Sequence, residues 1–291
     1  QTSDATTEEI NIAKALVEKL LNEALNQINQ DRTTNQVNET EIQGIQAINN
    51  IQVSPTKKLD ARTAINSAEE NRANVFNSNN EATLEEKDEA IQQLKTILQN
   101  ALQALQSDRT NQQVDQTKVQ SIEKINNVKL NIVKKPEAIN TIDKASTQQG
   151  QVISQINEAT QEEKDAAIHQ LKEALKQYTK EVSKAQTNQN VTDILSQSLE
   201  KFKKILPNIE AKPNAVEALK HLSNQIKSKI NDIKEATQEE KEVALNQLKE
   251  AMKNSIDAVS QSLTNEEVAK AKIEWESILK NIKPLIKVCL L

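Results

Sequence analysis

Apolar residues recur along this chain at intervals of three and four, in runs that begin at threonines. One run places Ala90, Leu94, Leu98, Ala101 and Leu105 along one face, and its counterpart carries Ala167, Leu171, Leu175, Tyr178 and Val182. This is the period of an amphipathic helix with a single buried stripe. A second kind of stripe reads Val114, Val119, Ile122, Ile125 and Val128, then Val191, Leu195, Leu199, Phe202 and Ile205. A third reads Ile142, Ala145, Val152 or Ile153, and Ile156, then Leu219, Leu222, Ile226, Ile230 and Ile233. The starts of the first two kinds are marked. In Thr83-Leu-Glu-Glu86 the threonine hydroxyl can accept from the amide three residues on, while Glu86 reaches back to the threonine amide. Thr264…Glu267 repeats this capping box at the second helix, and Thr110…Gln113 is its amide form.

These landmarks repeat. Ala-Thr-Leu-Glu-Glu-Lys at 82–87 returns as Ala-Thr-Gln-Glu-Glu-Lys at 159–164 and 236–241, with a weaker copy at 5–9. The threonines stand at 6, 83, 160 and 237, a spacing of 77, and Thr33, Thr110, Thr187 and Thr264 keep the same step, each four residues before a valine. Two landmarks in one unslipped period make this a repeat protein. The expected fold is all-α: tandem three-helix-bundle repeats of 77 residues arranged as an elongated rod. The expected units are 1–79, 80–156 and 157–233, with an incomplete fourth repeat at 234–291 that has two helices and an apolar tail. The structural caps are Thr6 with Glu9, Thr83 with Glu86, Thr160 with Glu163, Thr237 with Glu240, and Thr110, Thr187 and Thr264. All five prolines (55, 136, 207, 213 and 284) fall between second and third helices, which makes that connector a break and puts Pro136 and Pro213 in a first helical turn. Between third and first helices a short capped break is expected; one long, spectrin-like helix is the alternative. The closing segment from Pro284 to Leu291 leaves the pattern, and its apolar residues are expected to cover the open face of the last unit.

Composition narrows the field. Two glycines, five prolines and 1% aromatics among 291 residues disfavour a β protein. A net charge of −5, from 37 basic and 42 acidic residues, gives no pull toward nucleic acid, and no apolar run approaches a membrane span. The chain opens on no signal-peptide pattern. Internal copies test each candidate for chemistry. His169 is matched by Gln92 and Asn246, and His221 by Lys144 and Ser67, so both read as surface residues. The Glu162-Glu163 pair is explained by capping. Cys289 lies outside the repeat with no activating base beside it. No metal spacing recurs, and there is no phosphate loop or nucleophile elbow. The expectation is a protein without catalytic activity, cofactor or metal. Trp275 replaces Gly44, Ser121 and Ser198 and is either an exposed anchor or a partly buried side chain near the incomplete unit.

The Ala-Thr-x-Glu-Glu-Lys start, the Asn/Gln-rich helices, the Thr-Asn-x-x-Val second start and the period resemble the helical repeats of staphylococcal cell-wall-anchored surface proteins. SasC-like and FmtB/Mrp-like proteins are the nearest resemblance, with related three-helix units in Ebh-like giant surface proteins. The resemblance implies an extracellular, wall-attached surface protein in which such repeats form a stalk beneath an adhesive region, in a setting of adhesion, biofilm and virulence. A structural spacer is therefore the first expectation, with neighbouring repeats of the same chain as partners and no nucleic acid or membrane insertion. The alternative is a module binding a host or matrix protein, of the immunoglobulin- or albumin-binding kind. Such a module needs an exposed anchor patch in every unit, whereas the invariant positions are caps and core.

Overall fold

The computed structural model describes residues 3–286, which form eleven α-helices and no strand. They are α1 (Thr7–Gln30), α2 (Thr34–Asn49), α3 (Lys57–Asn77), α4 (Leu84–Ser107), α5 (Asn111–Asn127), α6 (Lys134–Ser154), α7 (Gln161–Lys184), α8 (Asn188–Lys204), α9 (Ala211–Asp232), α10 (Gln238–Gln261) and α11 (Asn265–Lys280). The chain divides into two compact units. The first runs to Lys134 and includes Gln186–Asn188; the second comprises Lys135–Ala185 and Gln189 onward.

In the first unit α3, α4 and α5 share one core, built on Ala61, Ile65 and Phe76, on Leu94 and Leu105, and on Val114 and Ile125. In the second unit Ile142 and Ile153 of α6 meet Leu171 and Val182 of α7 and Val191 and Phe202 of α8. Leu219 and Ile230 of α9 likewise meet Leu248 and Val259 of α10 and Val268 and Leu279 of α11. Each bundle thus joins a third helix to the first and second helices that follow it. This corrects the expected grouping: the boundaries at 79/80, 156/157 and 233/234 fall inside bundles, in the loops before α4, α7 and α10. The last pair of helices is closed by α9, and the pair without a third helix is α1·α2 at the other end, where neither helix has a buried residue. The tail is not needed as a cover. Leu285 and Ile286 are exposed, and residues 287–291, Cys289 among them, lie outside the described residues.

Local chemistry explains this phase. The loop from third to first helix reverses the chain tightly: Asn79 Oδ1 accepts from the amides of Glu81 and Ala82, at 2.8 and 2.9 Å. The lysine of the Glu-Glu-Lys motif then ties the two helices together, Lys87 Nζ donating to Asn77 O, Lys164 to Ser154 O and Lys241 to Asn231 O, each at 3.0 Å. The third helix also covers the end of the second: Arg72 donates to Val128 O, and Gln149 Nε2 to Ile205 O at 2.8 Å. By contrast, the connectors after α2, α5 and α8 have no regular secondary structure. Pro136 and Pro213 sit at the third position of α6 and α9, where a missing N–H costs no helical bond. The break before each first helix is short and capped, at Thr83, Thr160 and Thr237.

The first–second helix contact is close. A Cβ added to Gly44 would lie 2.9 Å from Ala24 Cβ. The equivalent pairs, one period apart each time, are Ala101 with Ser121, Tyr178 with Ser198 and Ser255 with Trp275. One member is always small, and the buried hydroxyls of Ser198 and Ser255 donate back to Leu195 O and Met252 O, at 2.6 and 2.7 Å. Trp275 is half-buried against the α9·α10·α11 core, and Tyr178 meets Phe202 edge-on at 6.0 Å. Val119, expected in the core stripe, is 60% exposed, and of the pair Val152 and Ile153 it is Ile153 that is buried.

Candidate functional site, a cap cluster at each joint

The motif residues do more than start a helix. In the first unit the Thr6 hydroxyl accepts from the Glu9 amide at 3.3 Å and donates to Asn111 Oδ1, at the start of α5, at 2.7 Å. The Thr7 amide donates to Arg109 O at 2.8 Å, and Glu8 Oε2 accepts the Asn111 amide at 3.1 Å. Glu9 uses both oxygens: Oε2 takes the Thr6 amide, and Oε1 takes the amides of Thr56 and Lys57, all at 2.8 Å. Two adjacent carboxylates therefore gather the N-termini of α1, α3 and α5, each carrying partial positive charge and unpaired amides.

The arrangement recurs residue for residue. Also within the first unit, Thr83 donates to Asn188 Oδ1 at 2.7 Å, Leu84 N to Gln186 O at 2.8 Å and Asn188 N to Glu85 at 2.9 Å, while Glu86 holds the amides of Thr83, Val133 and Lys134. In the second unit Thr160 donates to Asn265 Oδ1 at 2.7 Å, Gln161 N to Leu263 O at 2.8 Å and Asn265 N to Glu162 at 3.0 Å. Glu163 there takes the amides of Thr160, Glu210 and Ala211 at 2.9, 2.8 and 2.9 Å. Thr237 caps α10 with Glu240 in the same way, but its side chain is exposed where Thr6, Thr83 and Thr160 are sealed.

Each third helix carries a buried lysine at its second position. Lys58 Nζ donates to Gln106 O, at the C-terminus of α4, at 3.1 Å. Lys135 donates to Ser183 O at 2.9 Å, and Lys212 to Ser260 O and Asn157 O at 2.8 and 2.9 Å. A cation at a helix C-terminus opposes the negative end of the helix dipole. These three lysines, and the asparagines 111, 188 and 265, were not among the residues expected to matter. Their signal was in the sequence all along, as identity at three copies of the period, with Thr34 and Cys289 at the remaining positions. The second-helix caps hold the turn that the clusters dock against: Thr110 with Gln113 and Thr264 with Glu267 form complete boxes, as does Thr33 with Gln36, and Thr187 immediately precedes α8.

Electrostatically these carboxylates are fixed acceptors. Burial works to raise the carboxyls of Glu9, Glu86 and Glu163, but the backbone amides aimed at each outweigh it and hold all three below the ordinary glutamate range. A carboxylate so held is a poor proton carrier near neutrality. His169 and His221 are exposed. Among the described residues no group of three His, Cys, Asp or Glu is placed to hold a metal, and no helix is long and apolar enough to cross a membrane. Surface depressions are open grooves between helices, such as the one lined by Lys212, Pro213, Val216, Glu217, Ile256 and Val259.

Comparison with known proteins agrees with the packed frame. The domain of unknown function DUF1542 matches at residues 1–56, 57–133, 134–210 and 211–287, so that its three full copies each start with a third helix and hold one bundle. The chain is 24% identical over 292 aligned residues to the extracellular matrix-binding protein EbhA of Staphylococcus aureus strain Mu3, covering 99% of this chain and 4% of that protein. It is likewise 24% identical to the extracellular matrix-binding protein ebh of strain JH9, of which it covers 3%, and 23% identical to EbhA of strain Newman, of which it covers 8%. No solved structure matches it. With four tandem matches spanning nearly its whole length, the chain belongs to the DUF1542 family.

Proposed function

We propose that this chain is a non-catalytic spacer segment of a matrix-binding protein on the outer surface of a Gram-positive bacterium, and that it acts by holding an adhesive region away from the cell wall. The observation that carries this reading is the recurrent joint. The hydroxyls of Thr6, Thr83 and Thr160 are each occupied with the start of a second helix in the adjoining period, at 2.7 Å in all three. Chemistry invested in fixing one period against the next suits a structural role, in which each repeat contacts only its neighbours. The relatives, named as extracellular matrix-binding proteins, support the surface setting. First helices of 24 residues are about 36 Å long, and four periods laid end to end would reach roughly 110–140 Å. Small-angle scattering of the full chain tests this: a pair-distance distribution extending beyond about 100 Å supports the spacer, and a compact globule overturns it.

One observation favours a second reading, in which the segment itself binds a matrix protein. Ile42, Val119 and Ile273 occupy one helix-two position, and all three are exposed. The fourth copy has Ser196 there, and single exposed aliphatics are common. Saturable binding to immobilised matrix proteins that is abolished by combining Ile42→Ser, Val119→Ser and Ile273→Ser would favour this reading over the spacer.

A further inference from the structure

A continuous groove runs between α9 and α10 in the second unit. One stretch, of about 820 Å³, lies beside the joint, between Pro213 and Lys220 of α9 and Ile256 and Ser260 of α10. A second, of about 600 Å³, runs on past Lys227 of α9 and Leu245 of α10, and Ile256 lines both. The floor is apolar and recessed: Val216, Leu245, Met252 and Ile256 are half-buried, alongside buried Leu248 and Val259. The rim is charged and exposed. Glu158 and Glu217 stand at the joint end, Lys220 and Asp257 near the middle, and Lys227, Lys249 and Lys253 at the far end. None of these four lysines makes an ion pair among the described residues.

The floor belongs to the repeat and the rim does not. Leu245, Met252 and Ile256 stand where the earlier bundles have Ile91, Leu98 and Leu102, then Ile168, Leu175 and Thr179. Lys220 replaces Asn66 and Asp143, and Lys227 replaces Ala73 and Gly150. The same three-helix core forms without these charges, so packing does not account for them.

From Pro213 to Lys227 the groove is about 21 Å long, the length of a helix of about 15 residues. A helix laid there buries an apolar stripe on the floor while its flanks meet both rims. An extended peptide finds no strand edge among helices to pair its backbone groups. A polyanion answers the lysines but leaves the floor uncovered, an amphiphile with one head group answers a single lysine, and a flat bilayer cannot reach a recessed floor. The charges are sorted by end, acidic toward the joint and basic away from it. A helix that is acidic in its first half and basic in its second matches that order, and its own dipole favours the same arrangement.

We propose that the α9·α10 groove is the docking surface for an amphipathic helix of a partner protein, with one apolar stripe, an acidic N-terminal half against Lys227, Lys249 and Lys253, and a basic C-terminal half against Glu158, Glu217 and Asp257. The bound helix runs parallel to α10. This docking stands independently of the spacer reading.

The test uses the full chain and a synthetic peptide of about 15 residues, held helical by a cross-link on its outer face. It carries leucines along one stripe, glutamates flanking the first half of that stripe and lysines flanking the second. Fluorescence anisotropy should show saturable binding. Affinity should fall about tenfold or more for an isomer with the charged halves exchanged, and as much for the chain carrying Lys227→Glu and Lys253→Glu. The chain carrying Lys172→Glu and Lys176→Glu, at the positions of Lys249 and Lys253 one period earlier, should bind as the wild type does. Circular dichroism of both variants checks that the bundles remain folded. The proposal is overturned if the peptide does not bind saturably, if the exchanged isomer binds equally well, or if the two double variants lose affinity alike. It is equally overturned if sedimentation shows a dimer of the chain that Lys227→Glu with Lys253→Glu dissociates, because a second copy would then cover the groove.

Discussion

Replacing Glu163 by alanine removes the acceptor for three backbone amides at once, those of Thr160, Glu210 and Ala211, at 2.9, 2.8 and 2.9 Å. A hydrogen bond to a charged group contributes about 1.5–3 kcal/mol net. The site is half-buried, so water reaches part of it after the change, and about 1 kcal/mol for each lost bond is a more suitable figure. Glu163→Ala is therefore expected to cost about 3 kcal/mol locally. Glu163→Gln keeps one acceptor oxygen and is expected to cost about half of that. Bundles linked in series can unfold separately, which makes a single midpoint a poor gauge. Hydrogen exchange over residues 159–165 and 208–215 is the suitable assay. The alanine variant should exchange faster by roughly a hundredfold at the starts of α7 and α9, and the glutamine variant by about tenfold. Exchange unchanged within twofold at both helix starts would show that the shared carboxylate contributes nothing, and the joint argument would fail with it.

The same carboxylates set an acid limit. The pKa values of Glu9, Glu86 and Glu163 are depressed on folding, so the stability they contribute is fully present above the ordinary glutamate value, about 4.3, and is lost as pH falls through their lowered folded values. Thermal melts from pH 7 to 2 should fall steeply below about pH 4 in the wild type and less steeply in the combined Glu→Gln variant; identical profiles would contradict this. Lys212→Met keeps the buried stem but leaves Ser260 O and Asn157 O without their donor, for a loss of about 1–3 kcal/mol in urea unfolding of the third bundle. Leu219→Ala, at a fully buried site, should cost about 2–5 kcal/mol, whereas Val119→Ala should stay within about 0.5 kcal/mol. A large loss at Val119 would mean that its face is covered in solution.

The period, the helix starts and most core stripes were legible in the sequence because each leaves a local mark. Thr83 and Glu86 cap within one turn, and Leu94 and Ile125 repeat at helical spacing. Which helices close on one another was not legible. The two connectors flanking each third helix are about equally long, near six residues, and hydrophobic stripes announce that a face is buried without naming its partner. The deciding residues were polar and plain: Lys87 reaching back to Asn77, Asn79 turning the loop, and Lys58 and Asn111 bonding across 48 and 105 residues. A charge on a helix is ordinarily a solvated one, which is why recurrence at Lys58, Lys135 and Lys212 was the available signal for their burial. Val119 shows the opposite error. It lies between stripe positions by count, and hydrophobicity alone drew it inward.

Two fragments of equal length put the frame of the repeat to its most direct test. Residues 134–210 hold α6, α7 and α8 with their common core, and residues 157–233 hold α7, α8 and α9, which do not share one. Urea unfolding followed by circular dichroism should give 134–210 a cooperative transition with a native baseline, and leave 157–233 partly helical with a broad, low-cooperativity melt. Equal cooperativity in the two fragments, or a sharper transition in 157–233, would contradict the account.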